Sequence, residues 1–163
     1  MCGIIGILGK HEAAPILVEA LKRLEYRGYD SSGIATIESN GSIDRRRAVG
    51  KLVELQDKLV FEPLKGKVGI GHTRWATHGE PNEKNAHPHT SGAVSVVHNG
   101  IIENFLELRH ELNCDGYKSE TDTDTEIIAM LCSKFINEGH EPIVSARKTV
   151  SKLSGSFAIA MLF

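Results

Sequence analysis

The sequence predicts an α+β protein whose strands pair in antiparallel fashion. Two β-like runs flank Asn40-Gly41, and an Asn-Gly pair in that setting is the strongest short signal for a β-hairpin. Elsewhere, apolar residues recur at helical spacing in five stretches, the first of which follows directly after an apolar strand at residues 2–8.

The elements are predicted in the following order. The first half contains a strand at 2–8, a helix that begins near Pro15, strands at 33–37 and around Ile43, a helix at 51–59 and a strand at 68–72. The second half contains a strand at 93–98, a helix through Phe105, Leu108 and Leu112, a helix after Thr125, a helix from Pro142 and an apolar strand at 156–163. Proline fits the first turn of a helix, and glycine at position 139 ends the helix before Pro142.

Residues 73–92 form a long polar segment between two of these strands. A loop of this length is uncommon inside a compact domain unless it binds a ligand or covers a site. The segment offers Arg74, which can hold a carboxylate through two parallel hydrogen bonds, and Trp75, which can exclude water. A buried ion pair and a packing tryptophan would account for the same residues without a ligand.

Composition indicates one globular domain, spanning residues 1–163. The chain carries 19 basic and 21 acidic side chains, a net charge of −2, and 40% of its residues are hydrophobic. This balance does not favour a nucleic-acid or membrane partner, and the basic run 45–47 is interpreted as a solvated strand face. Because no apolar stretch is long enough to span a membrane and no signal sequence is evident, a cytoplasmic location is expected.

The apolar strand at 156–163 continues to the last residue without a turn or a polar tail. An unpaired apolar edge invites aggregation. We therefore expect neighbouring strands beyond residue 163 and interpret the domain as incomplete at its C-terminal end.

Cysteines stand at positions 2, 114 and 132, and none forms a Cys-x-x-Cys pair, so neither a disulfide framework nor a thiolate zinc site is expected. Cys2 differs from the other two because loss of Met1 would place a thiol and a free α-amine on one residue. The thiolate is a nucleophile, and an α-amine with a pKa of about 8 exchanges protons at neutral pH. Cys2 is therefore a candidate nucleophile that carries its own base. The alternative is a small buried residue that opens a strand.

Two further segments offer groups for acyl-transfer chemistry. Asn99-Gly100 follows a strand and precedes a helical pattern, and a side-chain amide beside a glycine N–H can donate two hydrogen bonds to one oxyanion. Residues 121–126 precede a helix that Thr123 or Thr125 is predicted to cap, and an aspartate there can hold an ammonium group. Together with Arg74 on a carboxylate, such an aspartate would complete a pocket for an α-amino acid.

Histidines are concentrated in residues 72–98, at positions 72, 78, 87, 89 and 98. Their spacings do not resemble a helical His-x-x-x-His pair, and His87-Pro88-His89 cannot form a regular helix interior. We therefore expect several of these histidines to form hydrogen bonds within the loop and to orient other groups, and we predict neither a metal nor a cofactor.

Six ordered blocks of the sequence resemble the class II glutamine amidotransferase domains, which have the N-terminal nucleophile hydrolase fold, and in particular those of glutamine–fructose-6-phosphate aminotransferases. The blocks are residues 1–4, 23–31, 72–81, 85–89, 97–104 and 123–126. They cover essentially the whole chain. Amidotransferases that make phosphoribosylamine or asparagine share the Cys-Gly-Ile start but look different at residues 26–30 and 73–78.

The resemblance implies a four-layer αββα sandwich, in which two antiparallel sheets pack face to face between helices. It implies that Cys2 is the nucleophile and that Asn99 and Gly100 form the oxyanion hole. It assigns Arg74 to the carboxylate of glutamine and Asp124 to its amine. The remaining implied positions are a substrate loop with Trp75, Thr77, His78 and Gly79, and a supporting residue, Arg27.

The resemblance further implies that glutamine is hydrolysed to glutamate and ammonia through a Cys2 thioester. In the family the ammonia passes to a separate sugar isomerase domain, which makes glucosamine 6-phosphate from fructose 6-phosphate in a homo-oligomeric enzyme. Thr121-Asp122 stands where the family has Ser-Glu, which leaves Asp122 as an alternative to Asp124. Other functions considered are a non-catalytic glutamine-binding fragment, a different class II amidotransferase and a metal-dependent hydrolase.

Overall fold

The computed structural model describes residues 2–28, 30–75, 80 and 82–163, and the backbone alone of Arg27. Three residues of the expected substrate loop, Thr77, His78 and Gly79, lie outside the described residues, as does Met1. Within the described ranges the chain forms two antiparallel sheets and five α-helices.

The first sheet has the strand order β1-β4-β2-β3. Its strands are β1 (Gly3–Leu8), β2 (Ser31–Ile37), β3 (Ile43–Val49) and β4 (Val68–Arg74). β2 and β3 pair antiparallel around Gly41, whose φ of +82° suits glycine in a tight turn. The predicted hairpin is therefore confirmed.

The second sheet has the order β5-β6-β7. Its strands are β5 (His89–Ser91), β6 (Val94–Ile102) and β7 (Gly155–Leu162). β6 continues four residues beyond the predicted end at His98, straight through the Asn-Gly pair. It does so because β7 pairs with β6 from Ser95 to Ile102 and supplies partners along that length.

The helices agree with the predicted order. They are α1 (Ala13–Lys22), α2 (Leu52–Phe61), α3 (Phe105–Cys114), α4 (Asp124–Asn137) and α5 (Pro142–Lys152), with a short 3-10 turn at Glu25–Arg27. Of the two predicted caps, Thr123 occupies the cap position of α4 and its hydroxyl accepts a hydrogen bond from the Glu126 N–H. Thr125 lies inside the helix. Of the helices in the described ranges, α4 is the longest, and none meets the length and apolarity of a membrane span.

Three apolar clusters hold the layers together. The first joins α1 and α2 to the first sheet and includes Leu17, Leu21 and Leu55. The second joins the second sheet to α3 and α4, and α5 packs beside α4. The third cluster lies between the two sheets, where Ala35 and Ile70 of the first sheet meet Val97 and Leu162 of the second. This is the predicted four-layer αββα arrangement.

The arginines of β3 do not form the solvated face that the sequence predicted. Arg47 Nη1 donates to the carbonyls of Lys84 and Ala86 at 3.1 and 3.0 Å, and Arg45 Nη1 donates to the carbonyl of Pro88 at 3.1 Å. Burial lowers the pKa of Arg47 to about 10. The alternating pattern indicated a strand correctly, but it carried no information about a loop folded across that strand.

Candidate active site

The predicted site residues converge where the two sheets face each other. Cys2 immediately precedes β1, and Arg74 ends β4, whose Thr73 is opposite Gly3 in the antiparallel pairing. Side chains alternate along a strand, so His72 and Arg74 face the same way as Ile70, towards the second sheet. By the same rule Asn99 of β6 faces the first sheet, as Val97 does.

Cys2 is fixed at both its sulfur and its backbone. The Trp75 N–H donates to Sγ at 3.1 Å, and the Trp75 carbonyl lies 3.5 Å from the same sulfur. The Cys2 carbonyl accepts a hydrogen bond from Asn99 Nδ2 at 3.1 Å. The thiol is half-buried, so a substrate can reach it.

Asn99 and Gly100 belong to β6 and lie next to Cys2. Asn99 Nδ2 carries two hydrogens, and since one is directed at the Cys2 carbonyl, the other is available for a second acceptor. Gly100 has a φ of +130°, and a Cβ there would lie 2.2 Å from the Ser156 carbonyl oxygen of β7. Only glycine fits this position while β6 and β7 stay paired.

Arg74 is a buried cation, with 3% of its surface exposed. Its Nη1 lies 4.0 Å from Asp30 Oδ1 and donates to the Glu80 carbonyl at 3.5 Å. Burial lowers the pKa of Arg74, while the charges of Asp30, Cys2 and Asp124 oppose that effect. The guanidinium thus lies within electrostatic reach of both Cys2 and Asp124.

Of the two candidate aspartates, Asp124 is the one at the site. It is 5% exposed, its Oδ2 accepts the Ile102 N–H at 3.0 Å, and its Oδ1 lies 3.7 Å from His98 Nδ1. Asp122 is exposed to solvent. Asp124 is the first residue of α4, and its carboxylate accepts a hydrogen bond from Ile102 of β6. It therefore lies at the same edge of the facing sheets as Asn99.

The histidines form a buried polar cluster beside the site. His72 Nε2 lies 2.8 Å from Asn99 Oδ1, His87 Nε2 lies 3.2 Å from Thr125 Oγ1, and His89 Nε2 lies 3.1 Å from Thr123 Oγ1. Burial lowers the pKa of His72 to about 4 and the pKa values of His87 and His89 well below 6.5. These rings are therefore neutral at pH 7. The sequence predicted histidine hydrogen bonds within the loop, whereas these bonds run to Asn99 of β6 and to the start of α4. No group of three metal-binding side chains occurs in the part of the chain that the structure describes.

Sequence reasoning missed two residues that contact this site. Thr125 was interpreted only as a cap, yet its hydroxyl lies 3.1 Å from His98 Nδ1 and 3.4 Å from Asp124 Oδ1. Asn85 joins the loop to the start of α4, since its Nδ2 donates to the Glu80 carbonyl and its Oδ1 accepts the Asp122 N–H. The available signal for Thr125 in the sequence was its place one residue after a candidate aspartate.

Thr77, His78, Gly79 and the Arg27 side chain lie outside the described residues. Trp75, which is described, is 49% exposed and contacts Cys2 through its backbone.

Comparison with known proteins identifies what this arrangement is similar to. The model of a family described as "Glutamine amidotransferase domain" matches residues 72–163. Two curated relatives are glutamine–fructose-6-phosphate aminotransferases [isomerizing], one from Brucella suis at 60% identity and one from Mesorhizobium japonicum at 58%, each aligned with the whole of this chain. The chain spans 27% of the length of these relatives.

A solved structure is similar across almost the whole fold. It is glutamine phosphoribosylpyrophosphate amidotransferase from B. subtilis, complexed with ADP and GMP, with a TM-score of 0.84 and 27% identity. The match covers 99% of this chain and 35% of that one. The two-sheet architecture is therefore that of the N-terminal nucleophile amidotransferases.

Proposed function

The chain belongs to the family of glutamine amidotransferase domains, and we propose that it hydrolyses the side-chain amide of glutamine to glutamate and ammonia. The observation that carries this proposal is the convergence of the Cys2 sulfur, the Asn99 amide and the Arg74 guanidinium at one edge of the facing sheets. A thiol, an amide donor and a buried cation are the groups needed for acyl transfer from an amino-acid substrate.

In the proposed mechanism Met1 is removed, and the α-amine of Cys2 takes the thiol proton. The sulfur attacks the side-chain carbonyl carbon of glutamine, and the negative charge passes to the carbonyl oxygen. The second hydrogen of Asn99 Nδ2 and the Gly100 N–H donate to this oxyanion. The amine then delivers its proton to the departing ammonia, which leaves a glutamyl thioester on Cys2.

Water completes the proposed cycle. It attacks the thioester carbon, the amine accepts a proton from the water, and the sulfur leaves and is protonated again. The net reaction is glutamine plus water to glutamate plus ammonia. No metal or cofactor takes part.

Glutamine is held at its α-carbon in this proposal. Arg74 binds the α-carboxylate and Asp124 the α-ammonium, and both side chains are buried, which strengthens charge-assisted hydrogen bonds. Trp75, Thr77, His78 and Gly79 are proposed to cover the substrate, and Arg27 to support the nucleophile. The opposite charges of Arg74 and Asp124 favour a zwitterionic amino acid over a simple amide.

The fate of the ammonia is proposed from the relatives, whose name specifies fructose 6-phosphate. We assign residues 1–163 to the amidotransferase domain of a larger, homo-oligomeric enzyme of the cytoplasm. In that enzyme a sugar isomerase domain uses the ammonia to make glucosamine 6-phosphate.

The test uses the full-length enzyme and glutamine alone. Cys2→Ala is expected to abolish ammonia release, because no other described thiol lies at the site, while Cys114→Ala, at an exposed position, keeps normal turnover. Intact-mass analysis checks that Met1 is absent, and a diazoketone analogue of glutamine is expected to add covalently at Cys2. Full turnover by Cys2→Ala would refute the assignment of the nucleophile.

Two other functions give different outcomes. A non-catalytic glutamine-binding domain would bind glutamine in calorimetry without releasing ammonia after Met1 removal. A different class II amidotransferase would release ammonia but make no glucosamine 6-phosphate when fructose 6-phosphate is added.

A further inference from the structure

His72 is the buried partner of the Asn99 amide. Its ring is fully buried on β4, and Nε2 lies 2.8 Å from Asn99 Oδ1 and 3.1 Å from the His98 carbonyl oxygen. Both partners are acceptors that carry no hydrogen. Nε2 must therefore be the protonated ring nitrogen, donating to both.

The same contacts fix the orientation of the Asn99 amide. Its other end, Nδ2, lies 3.1 Å from the Cys2 carbonyl, which can only accept. A flipped amide would set its NH2 against the His72 N–H and its oxygen against the Cys2 carbonyl oxygen. Only one orientation satisfies the atoms at both ends, and it directs the NH2 towards Cys2.

We propose that His72 is a positioning residue for hydrolysis, because its Nε2–H holds the Asn99 oxygen and so keeps the Asn99 NH2 aimed at the oxyanion that forms beside Cys2. This inference rests on the proposed glutaminase function and adds to it a residue that does not touch glutamine. If the amide rotated, its oxygen would meet the developing negative charge. Repulsion would then replace a hydrogen bond.

The surroundings hold the His72 ring in this state. The ring stacks on His87, with centroids 4.1 Å apart and an interplanar angle of 21°. His87 is itself fixed by Thr125 at Nε2 and by the His98 N–H, which lies 3.4 Å from Nδ1. Among the described residues His72 Nδ1 has no hydrogen-bond partner, as expected for the bare nitrogen of a neutral ring.

The expected effect is on turnover rather than on binding. Loss of one oxyanion donor lowers kcat by about 10²–10³-fold in acyl-transfer enzymes. Without His72, Asn99 still has its bond to the Cys2 carbonyl and spends part of its time correctly oriented, so we expect a loss of about 10 to 100-fold. The KM for glutamine is expected to change little, because its α-groups are assigned to Arg74 and Asp124.

The experiment compares three replacements of His72 in the full-length enzyme. His72→Gln can present an amide NH2 near the former Nε2 and is expected to restore most of the turnover. His72→Leu has no donor, and the NH2 of His72→Asn falls one bond short, so both are expected to show the loss in kcat. Thermal unfolding of each variant is measured alongside.

A double-mutant cycle with Asn99→Ala separates positioning from general structural damage. In the Asn99→Ala background His72→Leu is expected to cost less than about 2-fold in kcat, because the group that His72 orients is already gone. An equal loss in both backgrounds, an unchanged kcat in His72→Leu, or no rescue by a folded His72→Gln would overturn the proposal. If His72→Leu fails to fold, the contrast between His72→Gln and His72→Asn decides.

The outcomes also distinguish this inference from the proposed function. If the unaltered enzyme released no ammonia from glutamine, the glutaminase assignment would fail. If it released ammonia but the cycle were additive, only the role of His72 would fail.

Discussion

At the residue scale, burial distinguishes Asp124 from Asp122 as the candidate that binds the amine of glutamine. The two aspartates lie two positions apart in a repeating Thr-Asp-Thr-Asp sequence, so their order alone leaves both as candidates. Asp124 is buried and accepts a backbone hydrogen bond from β6, while Asp122 is exposed. A buried carboxylate can bind an ammonium group more strongly than an exposed one, because water screens it less.

We predict that Asp124→Asn raises the KM for glutamine by about 10 to 100-fold, since a charge-assisted hydrogen bond contributes about 1.5–3 kcal/mol. Steady-state ammonia release measures this, and kcat at saturating glutamine is expected to fall much less. Asp122→Asn is the matched control and is expected to leave KM unchanged. The reverse pattern would assign the amine to Asp122.

The residues near the nucleophile were predictable only in part. Cys2, Arg74, Asn99 and Gly100 stand out in the sequence because their chemistry and motif positions coincide. The bond from His72 to Asn99 joins residues 27 positions apart, and it depends on how two sheets face each other. No local pattern encodes that distance.

At the element scale, β3 and the loop at 82–88 form one unit. Arg45 and Arg47 donate to three loop carbonyls, and Gly33 of β2 leaves room for a fourth, because a Cβ there would lie 2.2 Å from the His87 carbonyl oxygen. The loop carries His87, on which the His72 ring stacks. A strand remote from the chemistry thus supports the ring that contacts Asn99.

We predict that Arg47→Met destabilises the domain by about 1–3 kcal/mol, since it leaves two loop carbonyls without their charged donor. Thermal unfolding of the full-length enzyme should show a lower Tm. Lys152→Met is the control, because Lys152 pairs with Glu111 at the surface, where both side chains are about half exposed. Surface pairs of that kind contribute about 0–1 kcal/mol, so a larger effect there would contradict this account.

The order of elements was predictable because each has a local signal, and the boundaries were less so. The Asn99-Gly100 pair is a turn signal in isolation, yet β6 runs through it. β7 pairs with these residues from 57 to 59 positions further along the chain, as in the pairings of Asn99 with Ala158 and Gly100 with Phe157. Pairing with a distant strand therefore outweighed the local turn preference.

At the scale of the whole molecule, the space between the sheets is partly polar. Apolar residues such as Ile70 and Val97 fill one part, and the neutral histidines occupy the part next to Cys2. A sheet interface that holds uncharged imidazoles makes stability dependent on pH. Whether stability rises or falls with pH depends on whether the folded or the unfolded state binds more protons.

We predict that stability falls as the pH drops from about 6.5 towards 4. An unfolded histidine binds a proton near pH 6.5, whereas His72 in the folded protein does so only near pH 4. Between these values the unfolded state binds more protons, so stability rises with pH, by up to about 1.4 kcal/mol per pH unit for each such histidine. Above pH 7 these histidines are neutral in both the folded and the unfolded state, so they add nothing to the pH dependence of stability.

Hydrogen exchange of the β4 and β6 amides at pH 7.5, 6.5 and 5.5, corrected for its intrinsic pH dependence, measures this effect. The interval lies above the range where most carboxylates titrate. His72→Gln is expected to reduce the slope by about one histidine's share. Equal protection at all three values would contradict the burial of neutral rings.

The pairing of β6 with β7 also has a consequence for how the protein is made. The strand that carries the proposed oxyanion-hole residues ends at Ile102, but its partner strand is complete only at Leu162. At about 5–20 residues per second, a ribosome needs several seconds to synthesise the intervening 60 residues. During that interval one edge of β6 lacks its β7 partner, so the strand that carries the candidate site is open to pairing with other nascent chains.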